Sequence, residues 1–82
     1  MQHGPQPELI ESPLSRTIEQ NGIRLIINIV RIATAPGWSL EVVNENGTST
    51  VWDDPFPSDR HADAAFRKAL AEEGPEAFLD DQ

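Results

Sequence analysis

The sequence predicts an α+β fold: a four-stranded antiparallel β-meander followed by one C-terminal α-helix packed on one face. Three observations lead there. Apolar residues recur at every second position at Ile23, Leu25, Ile27 and Ile29. Two Asn-Gly pairs, Asn21-Gly22 and Asn46-Gly47, sit between alternating segments. Ala62, Ala65, Phe66, Ala69 and Leu70 follow the spacing of a one-sided helix.

Asn-Gly suits a two-residue type I′ hairpin because both turn positions need positive φ. With Asn21-Gly22 as the loop, Gln20 faces Ile23, Glu19 faces Arg24, Ile18 faces Leu25 and Leu14 faces Ile29. Apolar pairs then share one face and the Glu19–Arg24 pair takes the other, so charge and hydropathy agree on the register. The second strand, 23–32, is long. Its opposite face carries Arg24, Ile26, Asn28, Val30 and Ile32 and is half apolar, which calls for a cover: a second chain, the N-terminal arm or the C-terminal tail.

Ala35-Pro36-Gly37 has the Pro and Gly of a type II turn. A third strand follows over 38–44 and a fourth over 48–52. A three-residue loop, Glu45-Asn46-Gly47, sets Leu40 opposite Trp52 and Val42 opposite Thr50. A two-residue loop sets Val42 opposite Val51. The first is preferred because it gathers Trp38, Leu40, Val42 and Trp52 on one face, but the sequence leaves both open. Pro55 and Pro57 stop the strand. Ser58 or Asp59 caps the helix, with Asp59 and Asp63 in its first half, Arg67 and Lys68 in its second, and an i, i+4 pair between Asp63 and Arg67. Gly74-Pro75 ends it. One more turn over 76–79 is expected to pack Phe78 and Leu79 back.

The chain has 82 residues, a net charge of −8, 38% hydrophobic and 6% aromatic residues, and no cysteine. That is one small domain, expected over 14–79, with a Pro-rich disordered arm over 1–13 and an acidic tail over 80–82. Disulfides and thiolate zinc sites are excluded. The acidity, with Lys68 the only lysine, argues against nucleic acid, and Arg16, Arg24 and Arg31 form no single basic stripe. No apolar run reaches the ~20 residues of a membrane span, and the first residues lack the pattern of a signal peptide. A cytoplasmic protein that binds no membrane is expected.

Few residues invite chemistry. Asp53, Asp54, Asp59 and Asp63 could supply oxygen ligands to a divalent cation. Their spacing matches no EF-hand, however, and a strand exit, a cap and a first helical turn account for each separately. Trp38, Trp52 and Phe56 could form an aromatic contact surface or fill the edge of a small core. His61 reads as a solvated first-turn residue. There is no G-x-S-x-G motif and no glycine-rich phosphate loop. No catalytic residue and no cofactor are expected.

The run Trp38-Ser-Leu-Glu-Val-Val-Asn-Glu-Asn-Gly-Thr-Ser-Thr-Val-Trp-Asp-Asp54, then Phe56 and a helix ending at Glu73-Gly74, resembles a group of small bacterial proteins with no known activity. The resemblance implies a bacterial origin and the four-strand-plus-helix order, and carries no catalytic residue across. A looser likeness, of architecture alone, is to HicB-type antitoxin domains, which also place a sheet before an Ala-rich helix. The expected function is a non-enzymatic protein-interaction domain, with Ile26, Val30, Trp38, Trp52 and Phe56 as its surface and a homodimer or a protein partner as its complex. The alternatives are an antitoxin-like domain neutralising a basic protein, and a cation-binding protein using Asp53, Asp54 and Asp59.

Overall fold

Asn21 and Gly22 both adopt positive φ, 56° and 76°, so the first hairpin has the expected turn. It joins β2 (Arg16–Gln20) to β3 (Ile23–Ile32) in the expected register, with Gln20 opposite Ile23, Ile18 opposite Leu25 and Arg16 opposite Ile27. The computed structural model describes residues 8–80, so 1–7 of the expected arm and 81–82 of the expected tail lie outside the described residues.

The arm is corrected over its described part. Leu9–Glu11 form a strand, β1, which pairs antiparallel with Ile32, Arg31 and Val30 of β3. Both β1 and β2 lie along the edge of β3 opposite β4 (Ser39–Val43), so they are two pieces of one broken first strand. The break is at Pro13, which has no N–H to give the ladder. The Leu14–Ile29 pairing expected there is replaced by a side chain. The Ser15 hydroxyl accepts from the Ile29 N–H at 2.9 Å and donates to the Ile29 carbonyl at 3.1 Å. The Ser12 N–H also donates to that carbonyl at 2.9 Å. Thus the meander is kept in width, with five strands in place of four.

The turn after β3 differs in detail. The chain reverses at Ile32–Ala35, closed by the Ala35 N–H on the Ile32 carbonyl at 2.8 Å, so the turn ends at Ala35, where the predicted type II turn begins. Gly37 is not among the glycines of positive φ. What holds it as glycine is space, since a Cβ there would collide with Pro55. The second hairpin adopts the three-residue loop: Val42 lies opposite Thr50 of β5 (Ser49–Val51), and the Trp52 N–H donates to the Leu40 carbonyl at 3.2 Å. Gly47, at φ 87°, takes the left-handed position. Trp38 and Phe56 then exchange backbone hydrogen bonds of 2.9 Å, adding a short bridge beyond β5.

The helix α1 (Asp59–Glu73) is capped by Ser58, whose hydroxyl accepts from the His61 N–H at 3.1 Å. It runs past Lys68, so its last turn holds no base and ends in Glu72 and Glu73. Gly74, at φ 81°, stops it, and Pro75–Phe78 form a single 3-10 turn. Phe78 packs back as expected, but Leu79 is 40% exposed, because the turn can aim only one of the two neighbours inward. The core consists of Leu25, Ile27, Ile29, Leu40, Val42, Ala62, Phe66 and Phe78, between one sheet face and the helix. Each fully buried aliphatic or aromatic side chain there contributes about 1.5–3 kcal/mol.

Candidate interaction surface

Strand alternation decides which side chains face away from the helix. On β3 these are Arg24, Ile26, Asn28, Val30 and Ile32, as the period-two pattern predicts. Pairing adds Leu9 beside Ile32, Glu11 and Ser39 beside Val30, Glu41 beside Asn28, Val51 beside Glu41, Thr17 and Val43 beside Ile26, and Ser49 beside Val43. Both helical elements pack on the other side, so no element among the described residues covers this face. Leu9 is 63% exposed, Ile26 41%, Ile32 45% and Val51 58%. These are four of the five large hydrophobic residues that the described chain exposes; Leu79 is the fifth. Concentration of exposed apolar side chains on one surface is the ordinary mark of an interaction site.

The polar groups of the face are ordered. Glu41 accepts from the Asn28 amide at 3.2 Å and from the Ser49 hydroxyl at 2.7 Å. Glu19 stands directly across from Arg24. Ile26 with Val43 lies to one side of the Asn28–Glu41 pair, and Val30, Ile32 and Leu9 to the other.

The five residues expected to form one surface are split between the two faces. Ile26 and Val30 lie on the open side. Trp38, Trp52 and Phe56 are half-buried on the helix side, packed against the core. Trp52 lies 6.2 Å from Phe78 between ring centroids, and the Arg31 guanidinium sits 5.4 Å above the Trp38 ring. These aromatics therefore close the edge of a small core.

The acidic candidates are also separated by their partners. Asp53 and Asp54 are exposed in the bend after β5. Asp59 accepts from the Ser12 hydroxyl at 2.7 Å. Asp63 is buried and accepts from Arg16 at 2.7 Å and from Arg67 at 2.9 Å, the latter being the predicted i, i+4 pair. Among the described residues, no group of three or more His, Cys, Asp or Glu side chains is placed to share a metal ion. Asp59 and Asp63 instead staple the helix to the broken strand, and Arg16 also lies 5.7 Å from the Phe66 ring centre. His61 is exposed, its Nδ1 2.6 Å from the Ser58 hydroxyl. No pocket is found among the described residues.

At the opposite end, the buried Asn44 uses every polar atom of its side chain. Its Oδ1 accepts from the Asn46 and Thr48 N–H groups at 2.9 and 3.1 Å. Its amide donates to the Phe78 carbonyl and to Asp80, each at 3.0 Å. Hydrogen bonds from Thr48, Asn44 and Asn46 hold the Asp80 carboxyl below its ordinary pKa. The Asn-x-Asn-Gly spacing suggests an Asx turn, but nothing local to it points to a tail that follows the helix.

Sequence reasoning missed Leu9, Val43 and Val51 as surface residues. The signal for the last two was present in the preferred second-hairpin register, which places Val43 and Val51 on the face of Glu41. No helix of the described residues is long and apolar enough to cross a membrane. No known protein family, curated protein or solved structure matches the chain.

Proposed function

We propose that this domain works by protein–protein contact through its open sheet face, without a chemical step of its own. The observation that carries this is the gathering of Leu9, Ile26, Ile32 and Val51 on one uncovered surface, with Val30 and Val43 between them. Water contact with that surface costs about 25 cal/mol per Å² of apolar area, and a partner recovers it.

The test is comparative capture from source-cell extract by the immobilised chain. Three forms are compared: the wild type, an Ile26→Lys/Val30→Lys double variant, and an Ala64→Lys control on the exposed side of α1. Wild type and control retain the same protein, or a second copy of this chain, and the double variant retains neither. Retention by all three forms would overturn the proposal. A regulatory variant of this reading, neutralisation of a basic partner in the manner of an antitoxin, is favoured by the net charge of −8. It is tested by whether a small basic protein is encoded beside this one.

A further inference from the structure

We infer that the open sheet face seats an amphipathic α-helix of a partner protein, with a Lys or Arg at the centre of the helix's contact stripe. This rests on the protein-contact reading above and adds the chemistry of the partner.

The first support is charge. Three carboxylates, Glu11, Glu19 and Glu41, project on this face against one base, Arg24, and that base stands across from Glu19. Glu41 and Glu11 have no cation opposite them in the sheet. Glu41 lies at the middle of the face, held by Asn28 and Ser49, with Val43 and Ser39 beside it along β4 and with Ile26 and Val30 flanking Asn28 on β3. A carboxylate held on a face that also carries Ile26, Val30, Val43 and Val51 asks for a cation when the surface is closed, since burying it without a counter-charge is costly.

The second support is the pattern. From Ile26 to Ile32 the face runs for about 20 Å at ~3.3 Å per residue. A helix covers that length in about 13 residues at 1.5 Å per residue. Apolar contacts then fall near both ends, on Ile26 with Val43 and on Val30, Ile32 and Leu9, with the base between them at Glu41. A helix on this side would mirror α1 and complete a three-layer arrangement.

A second copy of the chain fits less well. Two copies would bring together chains of net charge −8 each. A two-fold axis through the centre of the face would set Glu41 against its own counterpart.

The experiment uses the full chain and two designed helical peptides of about 18 residues, long enough to span the face. They share an apolar stripe and differ at its central position, Lys in one and Glu in the other. Backbone amide shifts are followed at low salt, and native mass is measured in parallel. The expected result is that the Lys peptide moves the amides of Ile26, Asn28, Glu41, Val43 and Val51. It should bind at least about ten-fold tighter than the Glu peptide, and about ten-fold weaker to a Glu41→Gln variant that keeps its fold. Equal affinity for the two peptides, shifts confined to other surfaces, or no binding by either would overturn the inference. A wild-type dimer dispersed by Ile26→Lys would also overturn it, while leaving the protein-contact reading standing. Absence of any face-dependent capture would remove that reading itself.

Discussion

Both faces of β3 carry isoleucines, and those isoleucines have opposite fates. Leu25, Ile27 and Ile29 are 0% exposed, whereas Ile26 and Ile32, on the alternate face of the same strand, are 41% and 45% exposed. Hydropathy does not separate them; the number of covering layers does. One helix and one 3-10 turn cover one face, and the chain's remaining polar network serves to hold those covers in place. Ser12–Asp59 and Arg16–Asp63–Arg67 tie down the start of α1, and Asn44–Asp80 ties down the tail after it. The open face has no such ties; its hydrogen bonds, from Asn28 and Ser49 to Glu41, stay within the sheet itself.

The contrast can be broken first where it is strongest. Phe66→Ala removes the largest fully buried side chain and should cost about 3–5 kcal/mol, most of the stability of so small a domain, as read by urea unfolding. Asp63→Ala comes next. It leaves Arg16 half-buried beside Phe66 without its carboxylate, and should cost about 1–3 kcal/mol on the same assay. Arg67 is largely exposed and adds little to that figure. Ser15→Ala should cost about 1 kcal/mol and speed amide exchange at Ile29, because the hydroxyl stands in for the missing backbone partner.

Acid acts more locally. The Asp80 pKa is lowered from 3.8, so its contribution is fully present above that value and is lost as pH falls through the lower folded value. Amide shifts of Asn46 and Thr48 should carry a step at a pH below the ordinary aspartate value. An Asp80→Asn variant should show no such step, and a step in that variant would assign the titration elsewhere. Ile26→Lys should have the smallest effect on stability, within about 0.5 kcal/mol of wild type, although its neighbour Ile27 lies in the core. A thermal midpoint well below wild type for Ile26→Lys would mean that the two faces are less distinct than described.

The order of strands and helix was legible because each signal is local. Asn21-Gly22 sets one turn, and the coherence of Trp38, Leu40, Val42 and Trp52 selects the loop of the other. The strand at Leu9–Glu11 was not legible, because prolines on both sides read as a disordered arm, and its partners, Val30 to Ile32, lie far along the chain. Half of the open face could be read from the alternation at Ile26, Val30 and Ile32. Leu9, Val43 and Val51 needed cross-strand register to join it. The Asp63–Arg67 pair followed from helical spacing, whereas Arg16 on the same carboxylate depends on how the helix docks on the sheet. Trp38, Trp52 and Phe56 look alike as surface or core in sequence, and only their packing against the buried core, with Trp52 beside Phe78, assigns them to the core edge.

The most direct measurement is site-specific photo-cross-linking in source cells, with p-benzoylphenylalanine placed at position 26 on the open face or at position 64 on the outer side of α1. Discrete protein adducts from position 26 and none from position 64 are the predicted result. Adducts from position 64 alone, or none from position 26, would contradict the assignment of the open face as the contact surface.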